Sequence, residues 1–196
     1  LGQDLIELFN YLTGFAKQQS YRKLLVAPVT LRNGIEKLIK REINYAKNGL
    51  PAKIIAKMNS LVDPEIIKLL YIASQEGVKI ELIIRGMCCL YPQRKGLSEN
   101  IKVTSIIGRF LEHSRIFWFT NDGDPEVFIG SADWMRRNLD RRVEAVTPIE
   151  DNKIKKEIKH LLDSYLEATK DSWNMQSDGS YTKNQMMNDK KKYIQE

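Results

Sequence analysis

The residues best suited to chemistry are a histidine and a set of arginines in the middle of the chain. His113 is followed two residues later by Arg115, and Arg85 lies upstream. Downstream, Arg142 ends a segment in which four arginines occur within seven residues. An imidazole can exchange a proton near neutral pH, and guanidinium groups bind phosphate oxygens through paired hydrogen bonds. These residue types predict a site that holds or transfers a phosphoryl group.

A predicted β-hairpin brings His113 close to further polar groups. Its strands, Arg115–Phe119 and Glu126–Gly130, flank a turn at 121–125 that is rich in Asn, Asp and Gly. We expect His113 to open the first strand, which would place it opposite residue 131 or 132. There the Ser131 hydroxyl and nearby backbone N–H groups could bind phosphate oxygens. The small residues around Ser131 would let a ligand approach closely.

The same residues also allow a purely structural interpretation. A single histidine at the start of a strand is often just hydrogen bonded within the fold, and clustered arginines often form a solvated face. Asp133, Asp140 and Glu144 could pair with these arginines. The second histidine, His160, falls off the apolar face of the last predicted helix, so we expect it on the surface. Only the convergence of His113 with phosphate-binding residue types favours a site.

The segments that must position these residues predict an α/β fold. From 24 to 85, short apolar segments alternate with amphipathic helices in the order β-α-β-α-β. This order favours a mixed, mostly parallel sheet flanked by helices, with a ligand beyond the carboxyl ends of the strands, where Arg85 lies. Asp63 followed by Pro64 marks a helix start. The apolar spacing before Leu12 predicts an amphipathic helix at the beginning.

Composition excludes several classes of protein. The 196 residues are 42% hydrophobic and 29% charged, which excludes a disordered or fibrous chain. Apolar segments such as Ile80–Ile84 are too short to cross a bilayer. Two adjacent cysteines form neither a disulfide framework nor a metal site, so we expect a reducing cytoplasm. A net charge of +6 favours an anionic partner, although a basic protein without one is an equal alternative.

Three segments around the candidate residues resemble the C-terminal catalytic domain of bacterial polyphosphate kinase. They are Ile83–Leu90, Phe110–Arg115 and Ser131–Glu144, and 49–63 is similar as well. The resemblance covers roughly Leu24 to Asp171, in the order and spacing of the family. It implies a phospholipase-D-like fold and the reversible, magnesium-dependent transfer of the terminal phosphoryl group of ATP to polyphosphate.

The resemblance also implies roles for single residues. His113 matches a histidine that faces the nucleotide phosphates and is a candidate general acid or base. Arg85 matches a nucleotide-phosphate arginine, and Arg142 matches a further active-site arginine. Arg115 and Ser131 complete the predicted ATP- and phosphate-binding set. Arg115 stands where related phospholipase-D-like motifs carry lysine, which weakens a direct phosphodiesterase interpretation.

The phosphohistidine of the family belongs to a His-x-Lys motif that has no match here. We therefore expect the preceding catalytic domain to supply this intermediate and the Mg²⁺ ligands, and the isolated chain to be inactive in synthesis. We expect a connecting helix at 1–21, the phospholipase-D-like domain at 22–175 and a polar tail at 176–196. The implied partners are ATP or ADP and inorganic polyphosphate rather than nucleic acid. The family also implies a cytoplasmic homo-oligomer when full length, with peripheral membrane association.

Two other functions remain open at this point. A phospholipase-D-like phosphodiesterase acting on nucleic acid or lipid commonly needs two His-x-Lys motifs, whereas this chain has one His-x-Arg motif. A non-catalytic module that binds polyanions or nucleic acid is favoured by the basic charge alone. Binding by such a module would fall steeply with salt.

Overall fold

The computed structural model describes residues 1–15, 20–109, 111–167 and 171–184, and within them a single mixed sheet carries the fold. The strands are β1 (Leu25–Ala27), β2 (Lys53–Met58), β3 (Lys79–Ile84), β4 (Ile101–Ile106), β5 (Arg115–Phe119), β6 (Glu126–Gly130), β7 (Glu144–Ile149), β8 (Ser172–Met175) and β9 (Tyr181–Lys183). The helices are α1 (Gly2–Leu12), α2 (Leu31–Lys47), α3 (Pro64–Gln75), α4 (Arg136–Asp140) and α5 (Asn152–Leu166). The strand order is β1-β7-β6-β5-β2-β3-β4-β8-β9.

The predicted α/β fold with a mixed sheet flanked by helices is confirmed, but the expectation that parallel pairs dominate is wrong. In the described part of the chain, β2–β3 and β3–β4 are parallel and the other six pairings are antiparallel. The first strand, β1, lies at the sheet edge and pairs antiparallel with β7 rather than parallel with β2. A crossover helix can return the chain to either side of a sheet, so strand and helix alternation does not determine which strands are neighbours.

The predicted hairpin is confirmed as β5 and β6, with Arg115 opposite Gly130. Its turn includes Asp122 and Gly123, which adopt positive φ angles of 53° and 92°. The prediction that His113 opens the first strand is wrong, because the strand begins at Arg115. Beyond Gly130 the partner strand turns away, and the N–H of residue 131 bonds to a carbonyl in β7 instead. Residues 113 and 114 therefore have no ladder partner and form a loop.

The core lies on both faces of the sheet, as the alternation in β5 predicts. Phe117 points to the face covered by α2 and α3, where its ring stacks on Trp134 at a centroid distance of 5.1 Å. Trp118 points to the opposite face and packs in a smaller apolar cluster with Leu162 of α5. The α5 helix is capped by Asp151, which accepts hydrogen bonds from two backbone N–H groups of the first turn.

The two ends of the chain are partly built into the fold. The predicted first helix is present as α1, and the buried Asp4 ties it down by accepting hydrogen bonds from the backbone N–H groups of residues 22, 23 and 24. The polar segment after 175, predicted as a tail, continues the sheet through β9 as far as Lys183. Residues 185–196 lie outside the described residues. None of the described helices is long and apolar enough to span a membrane.

Candidate phosphate-binding site

Five strand termini lie side by side at one end of the strands, and we call this end of the sheet the site edge. Here β2, β3 and β6 end and β5 and β7 begin, as the strand registers require. Arg85 directly follows β3, and Arg142 precedes β7 by two residues. The topology therefore gathers at this edge all the residues that the sequence predicts for the site: Arg85, His113, Arg115, Ser131 and Arg142.

Arg85 and His113 are in direct contact. Nη2 of Arg85 lies 3.4 Å from Nδ1 of His113, across 28 residues of sequence. Because a guanidinium can only donate, Nδ1 is the acceptor, and a neutral imidazole then carries its proton on Nε2. His113 is exposed, so that proton is accessible. Nη1 of Arg85 is buried and has no hydrogen-bond acceptor among the described residues. The pair thus combines an accessible proton with an incompletely bonded cation.

Arg115 makes its contacts within the fold. Its Nε lies 3.1 Å from one carboxylate oxygen of Asp133, and its Nη2 lies 3.3 Å from the other. Its Nη1 donates to the carbonyl oxygen of His113 at 2.7 Å. Asp133 is buried and also accepts a hydrogen bond from the backbone N–H of Asn59. Arg115 therefore neutralises a buried carboxylate and holds the histidine loop, while its role in phosphate binding stays a prediction.

The Ser131 hydroxyl is also engaged within the fold. It donates a hydrogen bond to the carboxylate of Glu144 and accepts one from the N–H of Ala145. The expectation that small residues here make room for a ligand is wrong at Gly130. A Cβ on Gly130 would lie 2.5 Å from the carbonyl oxygen of Ala145, so the neighbouring strand occupies that space. To bind a phosphate oxygen, Ser131 would have to redirect the proton that it now donates to Glu144.

The four clustered arginines are not paired as the structural interpretation expected. Asp133 bonds to Arg115, and Asp140 bonds to Arg32 of α2. Within the described part of the chain, the side chains of the four arginines make no hydrogen bond or ion pair with protein groups. The four are Arg136, Arg137, Arg141 and Arg142. They are exposed, and their charges remain uncompensated beside the site edge. Such a cluster suits an extended polyanion.

Comparisons with known proteins identify the family of the chain. A family model described as polyphosphate kinase C-terminal domain 2 matches residues 24–195. The chain belongs to the polyphosphate kinase family. Polyphosphate kinases of Prochlorococcus marinus (strain MIT 9313) and Parasynechococcus marenigrum (strain WH8102) are 69% and 67% identical to it over 185 residues. Each match covers 94% of this chain and 26% of the relative, so the chain spans about a quarter of their length.

Solved structures place the same domain in the fold of the family. The crystal structure of a polyphosphate kinase from Porphyromonas gingivalis superposes with a TM-score of 0.94 at 39% identity, covering 98% of this chain and 30% of that one. Nuc from Salmonella typhimurium, a phospholipase D family member, superposes with a TM-score of 0.53 at 14% identity, covering 82% of this chain and 97% of that one. The second likeness shows a shared fold, which confirms the predicted phospholipase-D-like architecture.

One buried cation of the polyphosphate kinase domain, Lys57, lies beside the site but was not predicted from the sequence. Lys57 of β2 is only 3% exposed, and its Nζ lies 2.8 Å from the Ser114 hydroxyl. It also forms an ion pair with Glu112 at 3.2 Å. Burial lowers the pKa of Lys57 below its ordinary value, while Glu112 opposes the shift. The sequence feature that could have indicated this residue is a lysine among the apolar residues of a central strand.

A second ionic cluster holds the arginine-bearing helix of the polyphosphate kinase domain in place. Arg32 of α2 donates to both carboxylate oxygens of Asp63, at 3.0 and 2.6 Å, and to both of Asp140, at 2.6 and 2.7 Å. Asp63 also caps α3, as predicted, by accepting from the N–H of Ile66. Because Asp140 ends α4, Arg32 links three helices and fixes the segment that leads to Arg142.

The described residues can be inspected for a group of side chains that could bind magnesium. No group of three or more His, Cys, Asp or Glu side chains in ranges 1–15, 20–109, 111–167 and 171–184 is placed to hold a metal ion. Asp133, Asp63 and Asp140 are each bound by an arginine. These three carboxylates therefore serve the fold, and magnesium binding stays a prediction for this chain.

Proposed function

We propose that this chain forms the nucleotide-phosphate side of a polyphosphate kinase active site. In this proposal the enzyme transfers the γ-phosphoryl group of ATP reversibly to inorganic polyphosphate. The observation that carries the proposal is the contact between Arg85 and His113, which joins a cation and a proton donor at the site edge. Membership of the polyphosphate kinase family supplies the reaction for which that pair is suited.

The proposed reaction proceeds in two balanced steps. First, a histidine nitrogen outside this chain attacks the γ-phosphorus of ATP, the bond to the bridging oxygen breaks, and ADP leaves. Second, a terminal polyphosphate oxygen attacks the phosphohistidine, the P–N bond breaks, and the polymer is one phosphate longer. The reverse sequence makes ATP from ADP. A phosphohistidine retains a high transfer potential, so both steps can run in either direction.

Each candidate residue has a distinct part in this proposal. Arg85 binds non-bridging phosphate oxygens and neutralises the charge that develops on them. His113 donates a hydrogen bond from its accessible Nε2–H to a terminal phosphate oxygen; to act as a general base, its ring would have to leave Arg85 and accept the proton on Nδ1. Arg142 and its neighbours bind the polyphosphate chain. Mg²⁺, when bound, would neutralise the β- and γ-phosphates, and we propose that its ligands come from elsewhere in the enzyme. The isolated chain should therefore bind phosphates without synthesising polyphosphate.

Phosphodiesterase chemistry is less well supported by the contacts. That chemistry uses a His-x-Lys pair, whereas the residue in the lysine position, Arg115, is bonded to Asp133 and to the histidine loop. A non-specific polyanion-binding module stays an alternative because the exposed arginines alone could provide one. The cytoplasmic location, homo-oligomer and membrane association implied by the family also remain predictions.

Calorimetric titration with inorganic tripolyphosphate and with Mg-ATP tests the proposal on the 196-residue chain. Hydrogen bonds to charged groups are worth about 1.5–3 kcal/mol, so Arg85→Ala should weaken binding by about tenfold or more. His113→Ala combined with Arg142→Ala should abolish measurable binding. A matched control removes two exposed cations of α5, Lys153→Ala and Lys156→Ala, and should bind like the unchanged chain. Equal losses in the control and the site variants, with binding abolished by salt, would indicate general basic charge and overturn the proposal.

A further inference from the structure

Lys57 places an ammonium group where the fold should favour an apolar side chain. It lies in the central strand β2, on the face covered by α5, and is only 3% exposed. Its strand neighbour on the same face, Ile55, belongs to the apolar cluster of that face. Burying an ammonium is costly unless each N–H finds an acceptor, and well-packed apolar residues often stabilise such positions more. A lysine at this position is therefore expected to have hydrogen-bond acceptors close to its ammonium group.

The acceptors of Lys57 are the two residues that flank His113. Nζ donates to the Ser114 hydroxyl at 2.8 Å, approaches the Ser114 carbonyl oxygen at 3.4 Å, and lies 3.2 Å from a Glu112 carboxylate oxygen. Tyr165 of α5 donates its hydroxyl to the same carboxylate oxygen at 2.7 Å, and its ring lies 5.1 Å from Nζ. Among the described residues, the three oxygen atoms in contact with the ammonium thus all belong to the histidine loop, 112–114.

The histidine loop needs such an anchor because it has left the β-ladder. The pairing of β5 with β2 ends with Ile116 opposite Lys57, and the pairing of β5 with β6 ends at Arg115. From the α2 and α3 side, Arg115 donates to the carbonyl oxygen of His113. From the α5 side, Lys57 binds the neighbours of His113. The loop is therefore held from both faces of the sheet, and its imidazole is directed at Arg85.

We propose that Lys57 is a positioning residue for His113. Its ammonium fixes the backbone of 112–114, and this sets the distance between the imidazole and the guanidinium of Arg85 without touching substrate. The consequence for phosphoryl transfer rests on the function proposed above. The geometric claim is separate from that function and can be tested without any ligand.

Nuclear magnetic resonance of the imidazole rings provides the test. His113 and His160 are the two histidines of the chain, so His160→Gln assigns both sets of ring resonances. Arg85→Lys should shift the His113 ring resonances while Lys57 is present, because the two side chains are in contact. In a Lys57→Met background, the same Arg85→Lys change should shift the His113 ring resonances no more than it shifts those of His160. Lys79→Met, at an exposed position of β3, is the matched control and should retain the shift.

The outcomes separate positioning from general destabilisation. An equal response of His113 to Arg85→Lys with and without Lys57 would overturn the proposal. Lys57→Met removes the ion pair between Lys57 and Glu112. If that variant is unfolded by circular dichroism, Lys57→Met with Glu112→Gln removes both charges and decides by the same comparison.

A titration with inorganic tripolyphosphate keeps the two proposals apart. Addition of tripolyphosphate should move the His113 resonances in the unchanged chain and move them less in Lys57→Met. If tripolyphosphate leaves His113 unmoved in the unchanged chain, the proposed function fails, while the resonance response to Arg85→Lys still tests the positioning role.

Discussion

The guanidinium of Arg115 lies against the carboxylate of Asp133, with two N···O contacts of 3.1 and 3.3 Å. Both side chains are largely buried, at 11% and 7% exposed. The pair joins the start of β5 to the loop after β6. It also explains how an arginine can stand where related phospholipase-D-like motifs carry lysine, because only the planar fork reaches Asp133 and the histidine loop together.

Arg115→Lys should therefore destabilise the domain, although it keeps the charge. A lysine cannot make the paired contact, so we expect the free energy of unfolding to fall by about 1–3 kcal/mol. Urea denaturation measures this change. Arg136→Lys, at an exposed position without a protein partner in the described residues, is the control and should stay within about 0.5 kcal/mol. Equal stability of the two variants would show that the Asp133 contact contributes nothing.

The Arg32–Asp63 ion pair should make stability depend on acid. Burial alone would raise the pKa of Asp63, but Arg32 and backbone N–H groups outweigh it and hold the pKa below its ordinary value of 3.8. The folded state then binds fewer protons than the unfolded state. The contribution of Asp63 to the free energy of unfolding is therefore complete above pH 3.8 and is lost as the pH falls through the lower pKa of the folded state.

Asp63→Asn tests this dependence through the free energy of unfolding at neutral pH and at about pH 3. The variant should be less stable at neutral pH, and the difference from the unchanged chain should shrink in acid. Asp122→Asn, in the exposed hairpin turn, should follow the unchanged chain at every pH. A difference that is constant with pH would mean that the charge of Asp63 is not the source of its contribution.

Gly130→Ala should separate packing from ligand access at the site edge. A Cβ there would meet the Ala145 carbonyl oxygen at 2.5 Å and the Val146 side chain at 2.7 Å. Overpacking of this kind costs about 1–3 kcal/mol, which thermal or urea unfolding would detect. Gly2→Ala, where a Cβ would meet nothing within 4 Å, serves as the control and should not destabilise. Unchanged stability of Gly130→Ala with weakened tripolyphosphate binding would instead support the ligand-access explanation.

Much of the local structure could be predicted from short stretches of sequence. The Asn-Asp-Gly turn predicted the β5–β6 hairpin, the Asp63–Pro64 pair predicted the start of α3, and the apolar spacing before Leu12 predicted α1. Each of these signals depends on backbone preferences or on a period of a few residues. The residue types at the site edge were recognisable for a similar reason, since the ability of imidazole and guanidinium groups to bind phosphate is a property of the single residue.

The site itself depends on tertiary structure. Arg85 meets His113 across 28 residues, and Arg32 meets Asp140 across 108. Strand order decides such pairings, and a crossover helix does not reveal on which side its next strand will insert. The same limit explains why Lys57 was not predicted to anchor the histidine loop.

The sequence by itself therefore determined the chemistry available and the local elements, because both are encoded within a few residues. Tertiary structure decided how those groups are used: it left the clustered arginines unpaired at the site edge and bonded Ser131 and Arg115 within the fold. The physical reason is that a hydrogen bond or ion pair forms only between groups that packing brings together. Which groups meet depends on the whole sheet, whereas the conformation of a turn or a helix start depends on its own residues.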